Sequence, residues 1–399
     1  MNKALTGIRI LDLTHMLSGP YGAMILADLG AETIKVEPLK GEGTRLLMAN
    51  DAGRSLDGMG AYFITLNRNK KSIAIDLKSE HGLAVFYDLV RESDVVISNF
   101  GAGVPKRLKI DYDSLEKVNP AIITCTVTGY GSDGPSPNRP AFDQVAQATG
   151  GGMSITGLDA AHPVRAGIPI GDLGGGMFAV MGIQSALLER HRSGKGQHVD
   201  ISMLDCQISM LNYMATMHFL SGEDPVPIGN AHFHHVPYNT YKTSNGYLVI
   251  AVIVDKFWHN LKKVVHIPEF ENVKYDTQPG RWEDREMINA RLNEKFSVHE
   301  TDYWLEKLQK MKIPSARVNR FSEALSDEQV LHRNMVIELK HPDGKSTRGP
   351  GNPIKLSRNN EESFSAAPKL GQDTDSVLAD LLGYGSEHIS SLKQQGVIV

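Results

Sequence analysis

The sequence predicts an α/β protein, with a large domain on a parallel-rich sheet joined to a smaller α+β domain. Three observations carry that prediction. A strand, a helix and a second strand follow one another within residues 8–37, which makes a βαβ unit and so a parallel pair. Strand and helix signals go on alternating to residue 127. Beyond residues 221–229, which hold two prolines and read as a linker, two strands are joined by the turn Ser244-Asn245-Gly246, the mark of an antiparallel pair.

In chain order, residues 8–13 read as the first strand, 21–29 as a helix stopped by Gly30, and 32–37 as the second strand. The loop between them, residues 14–20, leaves the carboxyl end of a parallel strand, where open α/β sheets place ligands. It is not a GxGxxG fingerprint, so no nicotinamide cofactor is indicated. Residues 72–77 form a strand, 80–91 an amphipathic helix, 94–98 a strand, 113–118 a helix and 122–127 a strand. A loop dense in Gly, Pro, Ser and Asn (129–140) and a small-residue stretch (147–157) follow. Residues 171–190 form a long helix ended by the Gly194-Lys195-Gly196 turn, 198–202 a strand, and 204–220 one Met-rich helix. The smaller domain has strands at 239–243 and 246–252 and helices at 255–265, 282–296 and 301–311. A strand pair around 335–339 and a helix near 375–382 complete the chain, which contains no internal repeat.

At 399 residues the chain can bury a substantial core without staples. A formal charge of -4 argues against nucleic acid as an obligate partner. No apolar stretch has transmembrane length and the N-terminus does not read as a signal peptide, so the expected location is cytoplasmic, with no membrane partner. Cys125 and Cys206 lie far apart in apolar stretches and read as reduced core residues.

The stretch Gly171-Asp172-Leu173-Gly174-Gly175-Gly176 opens the long helix. Each glycine there costs about 1 kcal/mol against alanine, so something must approach the backbone closely. Asp172 fits the helix N-cap, and two readings stay open on local grounds: a capping carboxylate, or an ionised nucleophile with room for a substrate. The basic groups Arg68, Lys70, Lys71 and Lys106, Arg107 fit either phosphate binding or a solvated charged surface. His232, His234 and His235 lack a carboxylate at ligand spacing, so no metal site is predicted. There is no GxSxG elbow for serine hydrolysis.

Taken together, ordered motifs across essentially the whole chain resemble the class III CoA-transferase family, which holds the formyl-CoA, L-carnitine and acetyl-CoA:oxalate CoA-transferases. They are Leu5-Thr6-Gly7-Ile8-Arg9-Ile10-Leu11-Asp12 leading to Gly19-Pro20, Leu29-Gly30-Ala31-Glu32, Asn67-Arg68-Asn69-Lys70-Lys71, Asn99-Phe100, Arg139-Pro140-Ala141-Phe142-Asp143, Gly171-Asp172, Gly194-Lys195-Gly196-Gln197, Gly229-Asn230 and Gly349-Pro350-Gly351-Asn352-Pro353. The resemblance implies a Rossmann-like large domain built from both ends of the chain and an interlocked homodimer. On it, residues 1–220 belong to the large domain, 221–229 to the linker, 230–321 to the small domain, and 322–399 return to the large one.

It also implies that Asp172 is the catalytic nucleophile, forming an anhydride with the acyl group and then an aspartyl-CoA thioester. Coenzyme A and acyl-CoA enter as substrates, together with a small carboxylic acid, and no cofactor is tightly bound. Carried over by position, CoA binding falls to His15, Leu17, Ser18, Ile75, Asp76, Leu77, Lys78, Asn99, Phe100, Gly101, Arg107, Arg139, Phe142 and Asp143. Gly174, Gly175 and Gly176 are expected to clear space for the acyl and pantetheine groups. Related racemases carry a His where this chain has Phe142, which cannot accept a proton, so racemisation is the weaker alternative; a non-catalytic CoA-binding protein is another. Formyl-CoA transferases have Gln at Leu17, Arg at Pro38 and Tyr at Phe142, which argues against formate and for another small mono- or dicarboxylate.

Overall fold

The computed structural model describes residues 3–341, 344–359 and 361–399. The chain divides into two compact units, Met1–Gly152 with Arg165–Glu223 and Leu331–Val399, and Met153–Val164 with Asp224–Val330.

The first unit is built on six strands: β1 (Arg9–Asp12), β2 (Glu32–Glu37), β3 (Lys70–Ala74), β4 (Val95–Ser98), β5 (Ile123–Thr128) and β6 (His198–Ser202). Their order across the sheet is β3-β2-β1-β4-β5-β6, and every neighbouring pair is parallel. The order reverses between β1 and β4, so the connections leaving these strands diverge and open a crevice at their carboxyl ends.

Alternation along β1 sends Ile10 and Leu11 to opposite faces, and each joins a separate core. On one face Leu11, Ile34 and Ile73 pack against α2 (Glu80–Arg91) and the C-terminal residues Leu378, Ile389 and Leu392. The helix Ser386–Gln394, which the sequence reading passed over, thus closes this face. On the other face Ile10, Val95, Ile97 and Ile123 meet α1 (Ser18–Asp28) and α4 (Ile170–Ser193); α3 (Asp143–Thr149) precedes α4. Gly194 ends α4 at φ 72°, a left-handed conformation that glycine adopts without steric cost.

The expected single helix over 204–220 is two, α5 (Met203–Leu211) and α6 (Tyr213–Ser221), broken where Asn212 turns to φ 50°. Apolar side chains remain in the open along these helices: Met177, Met181 and Leu188 on α4, Ile208 on α5, and Phe219 and Leu220 on α6. The hairpin of β10 (Val336–Lys340) and β11 (Ser346–Pro350) also belongs to this unit.

In the second unit β7 (Tyr238–Thr243), β8 (Gly246–Ala251) and β9 (Ser315–Arg317) form an antiparallel sheet in the order β9-β8-β7. Tyr241, Leu248 and Ile250 of this sheet pack with Trp258, Phe270, Phe296 and Trp304 in its core.

Candidate active site

The loop from β1 to α1 carries the first group of expected site residues, and buried polar contacts hold it at both ends. Asp12 accepts from the amide (2.9 Å) and hydroxyl (2.5 Å) of Thr14, while Lys70 Nζ donates to Asp12 Oδ2 (2.7 Å) and to the carbonyl of Pro20 (3.1 Å). Lys35 Nζ donates to the Thr14 carbonyl at 2.8 Å. Burial pushes the Asp12 carboxyl up, but Lys70 and Lys35 beside it prevail and hold it below its ordinary value. From across the crevice Asn99, just past β4, accepts from the His15 amide (2.9 Å) and donates to the His15 carbonyl (2.7 Å).

In the basic run 67–71, Arg68 and Lys70 are committed to buried ion pairs, and Lys71 is an exposed residue in a surface pair. Arg68 makes a buried ion pair with Asp28 (2.7 Å), Lys70 pairs with Asp12, and Lys71 pairs with Glu32 (2.7 Å). Removing one partner of such a buried pair typically costs about 3–5 kcal/mol, which accounts for these residue types as architecture.

Two of the clefts at this end of the sheet hold most of the expected site residues. The larger, about 710 Å³, is lined by His15, Met16, Glu37, Lys40, Phe100 and Leu108 and by Ile75, Asp76, Leu77 and Lys78 beyond β3. The smaller, about 330 Å³, is lined by His15, Met16, Leu17, Ser18, Asn99, Phe100, Gly101, Arg139, Phe142 and Asp172. They share His15, Met16 and Phe100, and the His15 and Phe100 rings lie 5.7 Å apart. Burial lowers the His15 pKa, with Glu42 and Asp12 opposing and Lys35 adding to the shift, so its imidazole is neutral at pH 7. Arg107 lines neither cleft, although its neighbour Leu108 lines the larger.

Asp172 sits in the first turn of α4 and is not its N-cap, which is Pro169. Another carboxylate does the capping: Asp143 Oδ1 accepts from the amides of Gly171 (2.8 Å) and Asp172 (3.3 Å), and its Oδ2 accepts from Gln147 (2.8 Å). Among the described residues no side-chain donor or cation pairs with the Asp172 carboxylate. Burial, and then the charge of Asp143, push its pKa up to about 6. The expected N-cap position is thus overturned, and no cap effect lowers the pKa: desolvation and a like charge outweigh the helix dipole here, whose first-turn effect is about 0.3–1 kcal/mol, although a pKa near 6 still leaves the carboxylate mostly ionised at pH 7. The result is an unpaired carboxylate facing a cleft, the environment of a nucleophile.

The glycines of α4 lie beneath the cleft rather than in its wall. A Cβ on Gly175 would meet Ser18 Oγ at 2.5 Å, and one on Gly176 would meet the Ser18 carbonyl at 2.6 Å and Tyr21 Cδ1 at 3.0 Å. Gly22 of α1 approaches the Gly176 carbonyl in the same way, at 2.9 Å, and Gly174 faces Met210 of α5. The close approach read from the sequence is thus between helices, bringing the N-termini of α1 and α4 together. Ser18 is buried there, and among the described residues its hydroxyl has no hydrogen-bond partner.

Tyr62, in the short helix Ala61–Leu66, is a neighbour that the sequence reading missed. Burial and the charges of Asp172, Glu42 and Asp143 push its pKa up to about 12, which places its hydroxyl within the field of the candidate nucleophile. In the second unit, His232 uses Nδ1 to accept the amides of His234 (3.0 Å) and His235 (3.1 Å), so this ring locks a turn. Among the described residues no helix is long and apolar enough to cross a membrane.

Comparison with known proteins agrees across the chain. The family model described as CoA-transferase family III matches residues 5–374. Succinyl-CoA:glutarate CoA-transferase of Mus musculus is 35% identical over 398 residues, covering 99% of this chain and 90% of the relative. Acetyl-CoA:oxalate CoA-transferase of Acetobacter aceti is 35% identical over 370 residues, covering 92% of each. The crystal structure of a CAIB/BAIF family protein from Brucella suis superposes with a TM-score of 0.86 at 34% identity, covering 96% of this chain and 100% of that one.

Proposed function

The chain belongs to CoA-transferase family III and uses CoA thioesters as substrates; from that premise we propose that it moves coenzyme A from an acyl-CoA to a small carboxylic acid through covalent intermediates on Asp172. The observation that carries this reading is the unpaired Asp172 carboxylate, raised to about 6, in a cleft that shares its wall with a larger one. The nucleotide end of CoA occupies the larger cleft, along Ile75, Asp76, Leu77 and Lys78 with Arg107 nearby. The pantetheine arm passes His15 and Phe100, and the thioester reaches Asp172.

The steps balance as an exchange. The Asp172 carboxylate attacks the thioester carbonyl and expels CoA thiolate, leaving a mixed anhydride. The thiolate attacks the aspartyl carbonyl and releases the donor acid, leaving an aspartyl-CoA thioester. The acceptor carboxylate attacks that thioester and expels the thiolate, forming a second anhydride. The thiolate then attacks the acceptor's acyl carbon, which gives the new acyl-CoA and frees Asp172. No outside proton donor or oxidant is required. A pKa near 6 suits this work, since the carboxylate is mostly ionised at pH 7 yet more basic than an ordinary aspartate.

Phe142 lines the cleft and supplies no base, which favours transfer over racemisation. The relatives named above act on glutarate and oxalate, and a small mono- or dicarboxylate is the acceptor proposed here. The apolar side chains left open on α4, α5 and α6 support a homodimer, and the proposed location is the cytoplasm. A matrix of donor acyl-CoAs against carboxylic acids tests the reading. Wild type should transfer CoA within one group of small acids, and Asp172→Ala should bind CoA without transferring it. Near-normal turnover by that variant overturns the role given to Asp172.

A further inference from the structure

We propose that Arg139 selects the acid, its guanidinium binding the far carboxylate of a short dicarboxylate whose reacting carboxyl group lies at Asp172. This rests on the transferase reading above and names the substrate class of the same site.

The ionisable side chains lining the Asp172 cleft are Asp172 itself, His15 and Arg139. Burial keeps His15 neutral, so Arg139 is the one permanent cation among these lining residues. Its guanidinium carbon lies 4.7 Å from the centroid of the Tyr130 ring, a cation–π contact that uses none of its N–H donors as a hydrogen bond to a protein acceptor. Among the described residues the Arg139 side chain makes no ion pair or hydrogen bond. Nor is it the counter-ion of Asp172, whose carboxyl is raised by burial and by Asp143 without an opposing arginine.

The cleft therefore offers a nucleophile and a separate, uncommitted cation, and about half of the wall that both share is apolar, with Leu17, Val127, Ala141, Phe142 and Met203 among its lining residues. That combination fits an acid with two carboxylates joined by methylenes. One carboxyl group reacts, the other forms charge-assisted, fork-shaped hydrogen bonds with Arg139, and the spacer lies on the apolar wall. Pro137 and Pro140 flank Arg139 and restrict its loop, which lowers the entropy cost of presenting the cation.

The experiment compares glutarate with pentanoate, acids of equal chain length that differ in the far carboxylate, as acceptors for wild type, Arg139→Gln and Arg139→Lys, with succinyl-CoA and butyryl-CoA as donors. Wild type should prefer glutarate in kcat/KM. Arg139→Gln should lower that preference by about 10- to 100-fold, the worth of charge-assisted hydrogen bonds, and Arg139→Lys should recover part of it. Tyr130→Leu, which removes the cation–π contact, should lower the preference in the same direction by less.

An equal loss with both acids overturns the proposal. So does a loss that disappears with 3′-dephospho-acyl-CoA donors, which would assign Arg139 to a CoA phosphate. Wild-type transfer without preference for glutarate overturns it while the transferase reading stands. Absence of transfer to any acid overturns both.

Discussion

Replacing Asp172 with Asn should destroy transfer and at the same time stabilise the protein, by an amount that depends on pH. In the folded chain the carboxyl pKa is raised from 3.8 to about 6, chiefly by burial and next by Asp143. A raised folded pKa means that between these values the native state holds more protons than the unfolded one, so stability is lost as pH rises through the window and the full cost applies above it. Two units at 1.36 kcal/mol each give up to about 3 kcal/mol. Asparagine keeps the shape and never ionises, so the variant escapes that cost. Below about pH 4 the wild-type carboxyl is protonated too and the two proteins should unfold alike. For a chain of this size the difference at pH 8 corresponds to about 3–5 °C in melting temperature. Scanning calorimetry at pH 4 and pH 8, beside a transfer assay, reads both effects. A variant no more stable than wild type at pH 8, or equally stabilised at both pH values, would refute the reasoning that Asp172 is held unpaired and desolvated.

Three further outcomes follow from the same geometry. The rate of transfer should rise with pH through about 6, as Asp172 ionises. Asp143→Asn keeps an Oδ1 acceptor for the amides of Gly171 and Asp172 but removes the neighbouring charge, so this acid limb should move to lower pH; an unmoved limb would mean that Asp143 only caps the helix. Gly176→Ala puts a Cβ within 2.6 Å of the Ser18 carbonyl, where backbone cannot yield cheaply. It should cost roughly 1–3 kcal/mol in thermal or urea unfolding and reduce kcat by displacing α1 from α4, the two helices whose first turns line the cleft; an unchanged melting temperature would contradict the packing described.

Much of the fold is legible in the sequence because its strands are short apolar runs between strong turn signals. All six strands of the main sheet were read within a few residues, and with them the loop at residues 14–20. The break at Asn212 was not legible, because apolar residues continue on both sides of it and only the backbone reversal separates α5 from α6.

The site was legible where it lies within one motif and illegible where it is assembled through space. Asp172 and its glycines announced a close approach, but the sequence could not say that the approaching group is α1. Asp143 reaches the α4 amides from 28 residues upstream, and Tyr62 enters from a segment the motif reading passed over. The basic run 67–71 misled for a related reason: its partners Asp28, Asp12 and Glu32 are distant in sequence, so charges that look exposed are paired, and two of those pairs are buried.

The central claim, a covalent intermediate on Asp172, is tested most directly by trapping. Wild-type protein is mixed with a donor acyl-CoA and hydroxylamine, digested, and its peptides are weighed by mass spectrometry. Either activated form of the side chain, anhydride or thioester, should react to leave a hydroxamate on Asp172, with activity lost in proportion and no adduct in Asp172→Ala. Normal turnover in hydroxylamine with Asp172 unmodified, or an adduct on another carboxylate, would contradict the account.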